Sequence, residues 1–186
     1  EMSSEKGRAI HRHLLNGLTG ATGLLENALN LDFNSAESGA VMDESTLKMR
    51  QYGLEIVQGI NLWMDLVKAN NQPMDAATEA QFQEKMKEIE DYWKKTTTAL
   101  ITLGSYPSVP DHASAQRFGR KLIEEKAVGC LLSYFFNPLG ELIQGEDDYA
   151  IQIPLELLGR VRDVIGFVPQ EANVNSVISG LKTGYF

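Results

Sequence analysis

The sequence predicts an all-α fold: an antiparallel bundle of three to four long helices, plus two short C-terminal helices. Three observations lead there. Apolar residues recur by alternating steps of four and three through most of the first 104 positions. Three such segments are separated by short clusters of Asn, Asp, Gly, Ser and Pro, which stop helices. The only candidate extended piece is short, Tyr149 to Ile153.

The first helix is expected from Glu5 to Leu31, with Ser3 or Ser4 as its cap. Its seam reads Ile10, Leu14, Gly17, Ala21, Leu24, Ala28, Leu31. Asp32 to Val41 reads as a loop, after which Asp43 can cap the second helix. There the seam is Met49, Gly53, Ile56, Ile60, Trp63, Val67, and Asn70, Asn71 and Pro73 end it. Thr78 with Gln81 forms a capping box for the third helix. Its seam is Phe82, Met86, Ile89, Trp93, Thr96, Leu100, Leu103, closed by Gly104, Pro107 and Pro110. At 1.5 Å per residue, helices of roughly 25 residues are about 38 Å long, and short breaks favour an antiparallel arrangement.

Asp111 can cap a fourth helix, with Ala115, Phe118, Leu122, Ile123, Ala127, Cys130, Leu131 and Tyr134 inward. "NPLG", Asn137 to Gly140, kinks or ends it. Gln144 to Ile153 is a loop, Pro154 opens a short helix to Phe167, and Asn173 can cap a last one. The chain reads as a single helical domain over residues 1–186, softly divided into 1–104 and 111–186.

Of 186 residues, 43% are hydrophobic, enough for a sizeable core. The net charge of -8 argues against nucleic acid or an anionic membrane surface as partner, since both need a basic footprint. Cys130 is the single cysteine, so no intrachain disulfide can form, and a reducing, cytoplasmic home is expected. Glu1 reads as an extra residue before a start at Met2, and no apolar signal core follows Ser3 to Arg8. The most apolar run, Ala127 to Ile143, is broken by Asn137, Pro138 and Glu141, and reads as a buried helix rather than a membrane span.

Candidate chemistry concentrates in "AIHRHLLNGLTGATGLLENAL", Ala9 to Leu29. His11 and His13 lie about 200° apart round a helix, so they cannot hold one metal ion. No metal and no cofactor are expected. Three glycines, Gly17, Gly20 and Gly23, each cost about 1 kcal/mol against alanine inside a helix. Either close packing of a neighbouring helix or approach of a partner protein explains them. The expected interaction surface is Asn16, Gly17, Gly20 and Gly23.

The pattern His13, Leu15, Asn16, Gly17, Thr19, Gly23 resembles the signature helix of histidine phosphotransfer domains. In that family a His is followed by Leu two on, usually Lys three on, Gly four on, Ser or Thr six on, and often Gly ten on. Asn16 stands where the Lys is usual. The resemblance implies His13 as phosphoryl acceptor and a response-regulator receiver as partner. The segment is also similar to the dimerisation helix of sensor kinases, in an alignment that puts Arg12 at the phosphorylated position. No nucleotide-binding glycine motif follows, so the chain is not a whole kinase.

Elsewhere the residues favour structure over chemistry. Trp63, Trp93, Phe82, Tyr52 and Tyr92 fall at core spacing but could line a pocket for an apolar molecule such as a lipid or tetrapyrrole. "GEDD", Gly145 to Asp148, lacks the spacing of a calcium loop. His112 beside Asp111 does not face it. Nothing assembles a nucleophile, a base and an orienting group, so an enzyme is not expected. The expected function is a non-catalytic cytoplasmic signalling or regulatory interaction module that binds a protein partner. Self-association into a homodimer would extend the seams. The alternatives are phosphoryl relay through His13 and binding of an apolar small molecule between helices.

Overall fold

The computed structural model describes residues 2–31, 37–70, 74–104, 112–124 and 153–171. Every regular element among them is an α-helix, so the fold is all-α as the heptad spacing requires. The elements are α1, Met2–Leu29; α2, Ser38–Asn70; α3, Ala76–Gly104; α4, His112–Glu124; and α5, Leu155–Glu171.

The predicted seams are the buried faces. Ile10, Leu14, Ala21 and Ala28 of α1 are sealed from solvent, as are Met49, Ile56, Ile60 and Trp63 of α2. On α3 the whole series from Phe82 to Leu103 is buried. The apolar stripe is wider than the seam alone. Leu18, Leu25 and Leu29 are also buried on α1, because α3 and α4 cover it as well as α2. Each large side chain so buried contributes about 1.5–3 kcal/mol.

Side-by-side packing is fixed by particular pairs. Gly17 meets Tyr52 and Ile56, while Gly59 meets Ile10, His13 and Leu14. Trp63 of α2 packs edge-on against Phe82 of α3, ring centroids 6.4 Å apart. α5 lies against both α2 and α3, with Gly159 near Met64 and Gly166 near Val57. α4 covers the end of α1, Gly119 lying against Leu25 and Leu29.

Helix ends differ from expectation in five places. α1 begins at Met2 rather than Glu5, so Ser3 and Ser4 lie inside the helix instead of capping it. The amides of Asn30 and Leu31 bond back three residues, to Asn27 and Ala28, so α1 tightens and stops at Leu29 rather than Leu31. The loop expected through Val41 is shorter, because α2 already begins at Ser38. The Val41 amide bonds to the Glu37 carbonyl, and Met42 and Ser45 just beyond are buried. That packing overrides the weak helix propensity of Ser38 and Gly39. Asp43 therefore sits exposed inside the helix and caps nothing. On α3 the cap is Asp75, not Thr78. Its carboxylate accepts the Thr78 amide at 3.0 Å and the Thr78 hydroxyl at 2.7 Å, and its carbonyl takes the Glu79 amide. Thr78 thus occupies the third helical position. Pro154 offers its carbonyl to the amides of Leu157 and Leu158, opening α5 as predicted. The helix then runs past Phe167 to Glu171, because buried Ile165 and the contact of Gly166 with Val57 hold the next turn in place.

Several expectations lie outside the described residues: the Asp111 cap, Cys130 and the run Ala127 to Ile143, the "NPLG" break, the "GEDD" loop, the extended piece at Tyr149, and the helix from Asn173.

Candidate functional site: His13 on the α1 and α2 boundary

His13 follows Ile10 by three residues and precedes Leu14 by one, so it stands at the margin of the buried face of α1. There it points to α2. Its Nδ1 lies 2.6 Å from Glu55 Oε2, with the histidine side chain 22% exposed and the glutamate 38%. Gly59, one turn further along α2, makes room. A Cβ on it would come within 3.1 Å of the His13 Cβ and 3.4 Å of the Ile10 carbonyl. The imidazole is thus neither sealed nor loose. One ring nitrogen is engaged by a carboxylate, and among the described residues Nε2 has no hydrogen-bond partner.

The two neighbouring glycines have the same physical origin. A Cβ on Gly17 would lie 2.8 Å from the Tyr52 carbonyl and overlap Ile56, and one on Gly20 would overlap the Tyr52 ring. Close approach of α2 accounts for both. Gly23 is different, since a Cβ there would meet nothing within 4 Å. Asn16 is exposed, together with Arg8, Arg12, Leu15 and Thr19, in a strip along the outside of α1 that His13 borders. Of the four residues expected to form an interaction surface, Asn16 and Gly23 therefore lie on the open side and Gly17 and Gly20 under Tyr52.

No group of three or more His, Cys, Asp or Glu side chains among the described residues is placed to hold a metal ion. No family model, curated protein or solved structure matches this chain.

The aromatic residues form core. Trp63 and Trp93 are fully buried, and Tyr92 gives its hydroxyl group to a short hydrogen bond with Thr22 of α1. Burial pushes the Tyr92 hydroxyl above its ordinary value of 10.0, partly offset by the bond to Thr22. Trp93 Nε1 and the Thr97 hydroxyl, within one turn of α3, are buried without a hydrogen-bond partner among the described residues. A second polar contact ties α5 to α3, where Arg160 Nε donates to the nearly buried Glu90 carboxylate at 2.9 Å.

Sequence reasoning missed Glu55 as the partner of His13. The two are 42 positions apart, and an exposed-looking Glu on a charged helix face carries no local sign of that role. Gly59 did carry a signal. It is a second small residue on α2 beside Gly53, matching the glycines of α1, and it marks a place where the two helices pack closely.

Proposed function

We propose that this protein is a helical signalling module that accepts a phosphoryl group on His13 from a partner protein docking on the outer strip of α1. The carrying observation is the partly exposed imidazole with Nδ1 held by Glu55. An antiparallel bundle of long helices is the scaffold this reading assumes. It is supported by the way rising numbers in α1 meet falling numbers in α2, Gly59 with Ile10 to Leu14 and Tyr52 with Gly17 and Gly20.

The chemistry asks little of the protein. With the proton on Nδ1, the lone pair of Nε2 attacks phosphorus of an acyl phosphate on the partner. The N–P bond forms, the P–O bond breaks, and the leaving carboxylate takes the electron pair. Positive charge then develops on a ring whose other side faces the Glu55 carboxylate. A receiver protein carrying a phosphoaspartate has the required donor chemistry. Arg12 and Leu15 beside Asn16 give its docking surface both charge and apolar area.

A second reading keeps the strip and removes the chemistry. Leu15 (36% exposed), Leu47 (55%) and Leu54 (54%) are large apolar side chains at the surface, which favours an interaction module that only binds, a second copy of the chain included. The two readings separate in one experiment. The chain is incubated with phosphoramidate, a donor that phosphorylates histidines directly. Relay predicts acid-labile mass gain that disappears in His13→Gln and persists in His11→Gln. Absence of label on the wild-type chain leaves binding alone.

A further inference from the structure

We infer that Glu55 is a positioning residue that holds His13 in the Nδ1–H tautomer and so makes Nε2 the nucleophilic nitrogen; the inference rests on the relay reading for its use, but not for its test. A carboxylate accepts hydrogen bonds and cannot donate when ionised. Its oxygen lies 2.6 Å from Nδ1, so the proton of a neutral imidazole belongs on Nδ1 in this pair. That assignment leaves the lone pair on Nε2, for which no hydrogen bond is seen among the described residues, as the one available for attack on a phosphoryl donor. Without the carboxylate a neutral imidazole favours the opposite tautomer, with its proton on Nε2 and no lone pair left there for attack.

The helices hold both members of the pair. His13 is tied by Ile10 and Leu14, each at most 1% exposed, and Glu55 by its neighbour Ile56, which is fully buried. Close approach at Gly59 and Gly17 then sets the spacing between them. A small movement of α2 relative to α1 would break the contact, so the pair also couples the state of the acceptor to the packing of the two helices.

The test uses the whole chain with ¹⁵N-labelled histidine. Ring nitrogen shifts are recorded at alkaline pH, where imidazole is neutral, for the wild type, Glu55→Gln and Glu55→Leu, with circular dichroism as a check on folding. The wild type is expected to show Nδ1–H at His13. Glu55→Gln keeps an oxygen acceptor and is expected to keep that tautomer, whereas Glu55→Leu reverts to Nε2–H. Labelling by phosphoramidate should fall about tenfold in Glu55→Leu and recover most of the way in Glu55→Gln, the size of effect expected of a partner that orients a histidine. A wild-type His13 protonated on Nε2, or a tautomer unmoved in Glu55→Leu, overturns the inference. If the tautomer behaves as expected while the wild type takes no label, the relay reading fails and the positioning role of Glu55 stands.

Discussion

At the scale of single residues, Gly17 and Gly23 are the same amino acid with opposite reasons for being there. Replacing Gly17 by Ala drives a methyl into the Tyr52 carbonyl and Ile56, and α2 must shift to receive it. The expected loss is about 1–3 kcal/mol, the usual penalty for overpacking, and larger than the gain in helix propensity. Gly23→Ala meets open space and should instead stabilise α1 by about 0.5–1 kcal/mol. Urea unfolding of the two variants checks both, and equal effects would refute the assignment of Gly17 to the interface. Tyr92 supplies a second prediction at this scale. Its hydroxyl is held above 10.0 by burial, so its contribution to stability is fully present below that pH and is lost as pH rises through the higher folded value. Phenolate absorbance should show one of the tyrosines titrating late, and Thr22→Val should raise that titration further by removing the strongest contact that favours the charged form.

At the scale of elements, the third helix begins where a carboxylate catches its first free amides. The Thr78 hydroxyl, then the Thr78 amide, holds Asp75 below its ordinary 3.8. The stabilisation is therefore present above pH 3.8 and fades as pH falls through the depressed folded value. Asp75→Asn keeps an acceptor for the Thr78 amide, so it should melt close to wild type at neutral pH. It should lose less on acidification, and a melting temperature followed into the acid range measures this. Arg160 is the corresponding tie for α5. Arg160→Met leaves the Glu90 carboxylate nearly buried without its donor and should cost about 1–2 kcal/mol, given that the arginine itself is half exposed. Glu90→Gln should cost less. Elements of this size were legible in the sequence because the seams from Ile10 to Leu103 repeat every seven residues, and nearly every seam position is buried. Their ends were less legible. Ser38, Gly39 and Thr78 look like boundaries locally, but Met42 packing and the Asp75 carboxylate decide where the helices start. The candidate site was half legible. His13 stood out by its type and its glycines, while Glu55 is supplied by tertiary packing alone.

At the scale of the whole molecule, no described helix is long and apolar enough to cross a membrane, and the helices spend their apolar residues on one another. α3 touches all four of the other described helices, and α1 is packed by α2, α3 and α4 while its outer strip stays open. A partner engaging that strip therefore touches a rod anchored on several sides, which suits docking without rearrangement. Consequently Leu18→Ala, deep in α1, is expected to cost about 2–5 kcal/mol and to loosen the whole assembly rather than one end. Hydrogen exchange across α2 and α3 as well as α1 checks this. Exchange quickened only in α1 would show that the helices open independently.

Both indole rings are shut away from water in the folded chain, Trp63 and Trp93 each at 0% exposure. Their emission should be correspondingly blue and should redden only when the interior opens. The protein thus carries an optical gauge of its own integrity, one that a visitor resting on the outside of α1 would leave unmoved and that melting would swing at once.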